Sequence, residues 1–158
     1  MDEELTVRRF ESENADRVWV VHERALRASP IAFVEDAPAD ADLRSISATY
    51  LDGDGEFFVG VVDGRVVATG GYLVVDSSTV ELRRMRVLPE CQGRGFGTRM
   101  LRALESRARD QGFERAVLET NADLRAARAL YERAGYAVPG RDTLEATGDV
   151  FVSYETSL

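Results

Sequence analysis

The sequence has no lysine, and all 20 of its basic residues are arginine. It has one cysteine and one histidine, which excludes a disulfide framework and leaves a structural zinc site without its usual ligands. No apolar run approaches the roughly 18 residues that span a bilayer, and residues 1–4 are acidic where a signal peptide is basic. We therefore expect a soluble cytoplasmic protein with no bound metal and no membrane partner.

Charge and length narrow the class of protein further. The net charge is -8, so the basic footprint of a nucleic-acid-binding protein is missing. The acidic excess lies in residues 1–79, whereas residues 80–158 hold slightly more arginine than acid. Either anion binding or chance clustering explains the arginines of this second half. With 158 residues and 44% hydrophobic composition, the chain is predicted to form a single domain over 1–158.

Hydrophobic periodicity predicts an α+β protein with a mixed sheet. The predicted strands cover 5–10, 56–62, 65–75, 79–87, 115–119 and 148–156. The predicted helices cover 14–28, 41–51, 95–111 and 123–134. Asp63-Gly64 between two β-rich runs indicates a hairpin, so the middle of the chain is predicted to be an antiparallel meander. A helix joins strands 79–87 and 115–119, which are therefore predicted to be parallel.

A glycine-rich segment, Gln92-Gly93-Arg94-Gly95-Phe96-Gly97, stands between a predicted strand and a predicted helix. Glycine lets backbone N–H groups approach a ligand closely, and a helix N-terminus attracts anions. Arg94 adds positive charge, so a diphosphate is the expected ligand. A turn without a ligand is the alternative interpretation of so short a pattern.

Three kinds of phosphate loop compete for this segment. A nucleotide P-loop needs Gly-Lys-Ser/Thr, and the chain has no lysine. A dinucleotide site needs a third glycine where this chain has Thr98. It also follows the first strand of a parallel sheet, whereas this segment follows the predicted antiparallel meander. In favour of such a site, Glu119 ends the next predicted strand, where a ribose-binding acid is found. The third candidate ligand is the diphosphate of coenzyme A.

Three segments in order carry a specific resemblance. Residues 81–90, the diphosphate motif 92–97 and residues 129–136 together resemble the GNAT superfamily of acyl-CoA-dependent N-acetyltransferases. The resemblance implies a mixed, mostly antiparallel central sheet flanked by helices, in which parallel strands four and five splay apart. It also implies acetyl-CoA as co-substrate, with its pantetheine arm between those two strands.

The resemblance further implies which residues hold the coenzyme. The backbone beside the pantetheine would be that of Met85, Arg86 and Val87, and the N–H groups around the diphosphate would be those of Gln92, Gly93, Arg94, Gly95, Phe96, Gly97 and Thr98. Many family members place a pantetheine-binding Asn where this chain has Leu124, so Asn121, one turn upstream, is the candidate replacement. The side chains of Arg83, Arg84 and Arg86 are expected to face phosphate or substrate, or equally to be solvated.

The implied chemistry is attack of an amine on a thioester, which needs a base and an acid. Glu81 matches a carboxylate that deprotonates the amine through water, with Glu119 as the second candidate base. Tyr131 matches a family tyrosine close to the coenzyme sulfur, where a phenol protonates the leaving thiolate. A backbone N–H at a bulge in strand four would polarise the carbonyl. An exposed strand glutamate and a core tyrosine are the structural alternatives.

The sequence thus predicts an N-acetyltransferase that moves an acetyl group from acetyl-CoA directly to a primary amine of a small molecule. A non-catalytic acyl-CoA-binding regulatory module and a protein or peptide N-acetyltransferase are the alternatives. The acidic first half favours a cationic acceptor, and the resemblance adds a homodimer as an expectation. Cys91 and His22 are expected to be structural, while Trp19 and Phe33 either line the acceptor pocket or pack in the core.

Overall fold

The computed structural model describes residues 4–144 and 149–158. Its strands are β1 (Thr6–Arg9), β2 (Glu56–Val62), β3 (Arg65–Val74), β4 (Thr79–Val87), β5 (Arg115–Asn121), β6 (Ala137–Leu144) and β7 (Asp149–Ser157). Its α-helices are α1 (Ala15–Arg27), α2 (Phe96–Asp110) and α3 (Arg125–Arg133). Within the described residues, no helix has both the length and the apolar character needed to cross a bilayer.

The strands form one seven-stranded sheet in the order β1-β2-β3-β4-β5-β7-β6. Every neighbouring pair is antiparallel except β4 and β5, which are parallel as predicted. Their pairing extends only from Thr79–Arg115 to Glu81–Val117. Among the described residues, the rest of β4 pairs with no strand on that side, so the sheet opens in its middle as the resemblance implied.

A β-bulge bends β4 where the sheet opens. The pairing between β3 and β4 shifts between Thr69 and Gly71, and Arg84 takes a left-handed backbone conformation with φ of 60°. This conformation costs a non-glycine residue roughly 1–2 kcal/mol. Opposite the bulge, a Cβ on Gly70 would lie 2.6 Å from the Met85 sulfur, so only glycine fits there without displacing Met85.

Helices cover both faces of the sheet. On one face, Leu101 and Leu104 of α2 pack in a buried cluster with Leu82 of β4 and Tyr131 of α3. On the other face lie α1 and two short helical turns, Pro38–Arg44 and Ser47–Leu51. The Tyr50 ring from the second turn meets Phe57 of β2 at 5.1 Å between centroids. Side chains alternate along a strand, so consecutive β4 residues face these two layers in turn up to the bulge.

One prediction of local structure was wrong, and one strand was missed. The predicted helix over 41–51 is instead the 3-10 turn Pro38–Arg44 followed by the π-helical turn Ser47–Leu51. Strand β6 was not predicted at all, because Pro139 and Gly140 interrupt its sequence pattern. β6 is an edge strand, and its register with β7 shifts between Ala137 and Gly140. An edge strand tolerates proline because one side of it needs no partner.

Candidate active site

A cavity of about 530 Å³ lies where β4 and β5 separate. Its walls are the end of β4, the glycine turn with the first turn of α2, the helix α3 and the C-terminal end of α1. The predicted coenzyme residues that line it are Met85, Arg86, Val87, Gln92, Gly93, Gly95, Phe96, Gly97 and Thr98. The structure therefore brings nearly all of the predicted coenzyme residues to one cavity.

The glycine turn needs its glycines for backbone conformation. Gly93 and Gly95 have φ of 80° and 81°, and a Cβ on either would meet no atom within 4 Å. Gly95 is the N-cap of α2, so the N–H groups of the first helical turn have no acceptor inside the helix. The Gln92 side chain donates to the Val87 carbonyl at 3.0 Å and ties the turn to β4. The result is a cluster of backbone donors at the positive end of a helix dipole, which suits a diphosphate.

Tyr131 lies in the cavity wall, on the buried side of α3, and is 5% exposed. Its ring lies beside Tyr154 and Tyr136, with centroids 5.7 and 5.9 Å away. Burial raises the pKa of Tyr131 to about 12, although the positive charge of Arg86 acts in the opposite direction. The phenol is therefore protonated at neutral pH and is able to donate a proton.

The two candidate bases lie outside the cavity wall but share one sheet face. Glu81 pairs with Val117 across the last parallel rung, and Glu119 stands two residues further along β5. Glu81 has a side chain that is 44% exposed and lies 3.6 Å from Arg83. Because residues two apart on a strand point the same way, both carboxylates flank the opening between β4 and β5.

Arg84 binds protein carboxylates and is neither solvated nor free for phosphate. Its Nε and Nη2 donate to the two oxygens of Asp42 at 3.0 and 2.6 Å, and its Nη1 donates to Asp40 at 3.0 Å. The Tyr50 hydroxyl donates to Asp42 at 2.5 Å. Burial raises the pKa of Asp42, but the hydrogen bonds from Arg84 and Tyr50 outweigh it and the pKa is lowered. This cluster fixes the Pro38–Arg44 segment against the bulge.

Arg86 lies close enough to the buried His22 for its charge to act on the imidazole, which the sequence did not reveal. The Arg86 Nη1 donates to the Met85 carbonyl at 3.0 Å, whereas its buried Nε has no hydrogen-bond partner. His22 is 1% exposed, with its Nε2 3.2 Å from Asp40. Burial and then the charge of Arg86 lower the pKa of His22, which is therefore neutral at pH 7. The one relevant signal in the sequence was the expected bulge in strand four, beside Arg86. A bulge sets the course of the backbone but does not indicate what the side chain contacts.

Other residues singled out from the sequence have structural contacts. The Asn121 side chain accepts a hydrogen bond from the Asp123 N–H at 2.9 Å and so caps the turn before α3, while Leu124 itself lines the cavity. Cys91 is buried beside the glycine turn. Trp19 and Phe33 pack on the His22 ring, at 5.4 and 6.1 Å between centroids. Among the described residues, no group of three side chains is arranged to hold a metal ion.

Comparison with known proteins decides the family. Residues 8–136 match the model of the acetyltransferase (GNAT) family. The chain belongs to the GNAT family. The match begins within β1 and ends just after α3, and so includes β4, the glycine turn and Tyr131.

One curated relative is the uncharacterised N-acetyltransferase YjgM of Escherichia coli (strain K12), 34% identical over 101 residues. The match covers 62% of this chain and 60% of YjgM. Against three vertebrate N-acetyltransferases the chain spans only 46% to 49% of the relative's length. The similarity thus concerns part of each relative, and the substrates of those proteins do not transfer with it.

Solved structures show the GNAT fold over nearly the whole chain. An acetyltransferase of the GNAT family from Staphylococcus aureus Mu50 superposes with a TM-score of 0.86 at 18% identity and covers 98% of this chain and 99% of its own. The protein yncA from Salmonella typhimurium was solved with its cofactor acetyl-CoA, and it superposes with a TM-score of 0.78 at 20% identity, covering 98% of this chain and 94% of its own. At these sequence identities the structural similarity establishes the fold of the chain and nothing more about it.

Proposed function

We propose that this GNAT protein is an enzyme that transfers an acetyl group from acetyl-CoA directly to a primary amine of a small molecule. The observation that supports it best is the opening in the sheet, where the unpaired edge of β4 runs into the glycine turn. Buried backbone groups need partners. Pantetheine supplies amides that pair with such an edge, and the coenzyme diphosphate suits the donors of the turn.

The transfer assigns roles to the residues around this opening. Glu81, acting through water, takes a proton from the ammonium of the acceptor, and the neutral amine then attacks the thioester carbon. The backbone N–H groups at the β4 bulge stabilise the oxyanion. When the carbon–sulfur bond breaks, Tyr131 gives its proton to the leaving thiolate. Cys91 lies buried at the diphosphate end of the cavity, which is why no acetyl-cysteine intermediate is invoked.

The test combines calorimetric titration of the protein with acetyl-CoA and an assay of free-thiol release with a panel of amines as acceptors. We expect wild-type protein to bind acetyl-CoA and to turn over at least one amine. Tyr131→Phe should keep the coenzyme affinity and lower kcat by about 100-fold, the lower range for loss of a general acid. The matched control is Tyr154→Phe, since Tyr154 is buried on the same side of the sheet but accepts from Arg128 and does not line the cavity.

Other results would redirect the assignment. Binding of acetyl-CoA without turnover of any small amine would favour a regulatory module or a peptide acceptor, and peptides with free amino groups would then separate these two. Glu81→Gln and Glu119→Gln decide which carboxylate is the base, because only loss of the base shifts the pH profile of kcat/KM. A protein that does not bind acetyl-CoA would contradict the proposal outright.

A further inference from the structure

Arg86 is a partly buried arginine in the cavity wall, and among the described residues no direct ion pair matches its charge. Among the described residues it makes one hydrogen bond, from Nη1 to the Met85 carbonyl at 3.0 Å, and its Nε is shielded from solvent with no acceptor. A buried donor without a partner costs roughly 1–3 kcal/mol, and more when the group is charged. Because Nε is shielded from solvent, a ligand in the cavity would meet the Nη nitrogens of the guanidinium and not Nε.

The nearby carboxylates already have other partners. Asp42 accepts from Arg84 and Tyr50, and Asp40 accepts from Arg84 and lies 3.2 Å from His22. These two acids balance the charges of Arg84 and Arg86 across the cluster, which lowers the cost of burying both arginines. Neither carboxylate forms a hydrogen bond with the Arg86 guanidinium.

The position of Arg86 places its guanidinium near the proposed general acid. Arg86 and Tyr131 both line the cavity. Its charge acts on both the Tyr131 phenol and the His22 imidazole. The guanidinium is therefore near both the proposed general acid and His22 of α1. The proposed function puts the acceptor amine in this part of the site.

We propose that Arg86 binds a carboxylate of the acceptor, so that the enzyme acetylates amines that carry a carboxylate, as amino acids do. A guanidinium matches a carboxylate in shape and donor geometry, and it stays charged when buried. The proposal rests on the proposed function and replaces the cationic acceptor that the acidic first half of the sequence favoured. The competing role for Arg86 is donation to the thioester carbonyl.

The experiment compares free amino acids with their carboxamides as acceptors at saturating acetyl-CoA, with thiol release as the readout. Each acid and amide pair differs only in the carboxylate, so the ratio of their kcat/KM values isolates its recognition. We expect wild-type protein to prefer the best acid over its amide by about 30-fold, the size of one buried charge-assisted hydrogen bond. Arg86→Gln should bring this ratio close to one, and Arg86→Lys should restore part of it.

Arg83→Gln is the matched control, because Arg83 lies on the same strand and faces Glu81 at 3.6 Å. It should keep the preference for the acid. Thermal unfolding and acetyl-CoA calorimetry confirm that each variant is folded. Titration of N-acetylated amino acids and their amides into the protein, with and without coenzyme A, gives the same comparison without turnover.

The possible outcomes distinguish failure of the carboxylate proposal from failure of the proposed function. Equal use of acid and amide by the wild-type protein, or a preference that survives in Arg86→Gln, would overturn the carboxylate proposal while leaving acetyl transfer in place. A loss of kcat for acid and amide alike in Arg86→Gln would assign the residue to the thioester and also overturn it. Absence of acetyl-CoA binding would instead refute the proposed function, and product titration alone would then decide whether Arg86 binds a carboxylate.

Discussion

The two ends of the cavity are built in different ways. The diphosphate end consists of backbone from one short stretch, in which Gly93 and Gly95 hold left-handed conformations before α2. The bulge end consists of side chains from distant parts of the chain, with Arg84 bonded to Asp42 across 42 positions. The first end depends on conformations that few residue types adopt, and the second depends on a network of ion pairs. Substitutions at the diphosphate end should therefore mainly weaken ligand binding, whereas substitutions at the bulge end should mainly destabilise the fold.

The largest effect is expected from Arg84→Met, and it should fall on stability. Arg84 is 11% exposed and its partners Asp40 and Asp42 are 13% and 9% exposed, so the substitution leaves two nearly buried carboxylates without their cation. Removing one partner of a buried ion pair costs about 3–5 kcal/mol. Denaturant unfolding should show a loss of about 3 kcal/mol in the free energy of unfolding.

Arg65→Ala is the control for this effect. Arg65 also bonds a carboxylate, Glu90, at 2.9 Å, but the two side chains are 48% and 41% exposed. Exposed ion pairs contribute about 0–1 kcal/mol, so this variant should unfold almost as the wild type does. Equal losses in the two variants would show that the bulge end does not depend on its buried ion pairs.

The second prediction concerns the diphosphate end, where a substitution should weaken ligand binding more than it weakens the fold. Gly95→Val places a β-branched residue at φ of 81° beside the expected diphosphate. We expect acetyl-CoA affinity, measured by calorimetry, to fall by at least about tenfold, which corresponds to about 1.4 kcal/mol of binding free energy.

Gly64→Val is the matched control, because Gly64 has φ of 78°, equally open surroundings and a position in the β2–β3 hairpin away from the cavity. It should show a similar loss of stability and normal coenzyme affinity. If both variants bound acetyl-CoA equally well, the glycine turn would not be the diphosphate site.

The same contrast explains how much could be predicted from the sequence. The turn at Gln92–Gly97 and the parallel pair of β4 and β5 follow from short patterns and from the helix between the strands, so both were predicted and the pairing is confirmed. The ion pairs of Arg84 depend on which distant segment meets the bulge. A strand arginine looks the same in sequence whether it faces water or Asp42, so its role could not be predicted.

Tertiary contacts also explain the errors in local structure. Residues 41–51 have a helical pattern, but Asp42 binds Arg84 and Tyr50, and the segments Pro38–Arg44 and Ser47–Leu51 form 3-10 and π-helical turns instead. Strand β6 pairs with β7 despite its proline and glycine, since β7 already extends the sheet from β5. The cluster around Arg84 overrides the intrinsic preference of the first segment, and strand pairing in the sheet overrides that of β6.

The smallest predicted effect concerns pH, and it too separates the two ends. His22 is the only histidine of the chain, and it lies at the bulge end. Burial and the charge of Arg86 lower its pKa, and these outweigh the hydrogen bond and charge of Asp40; the charge of Arg84 lowers it further. The imidazole therefore stays neutral in the folded protein at a pH where the unfolded chain, with a pKa near 6.5, takes up a proton.

The sign of the pH effect follows from this difference in proton uptake. The contribution of His22 to stability is fully present above pH 6.5 and is lost as the pH falls through the lowered pKa, at no more than about 1.4 kcal/mol per pH unit. Between pH 7.5 and 5, denaturant unfolding should show a decline in the wild type that is reduced in His22→Gln. The imidazole resonances of the single histidine, followed by NMR over the same range, report the titration directly. A pKa above 6.5 would mean that Asp40 outweighs burial and Arg86, so that His22 is held as a charged partner in the Arg84 cluster. Equal slopes in the two proteins would mean that folding leaves the pKa of His22 unchanged.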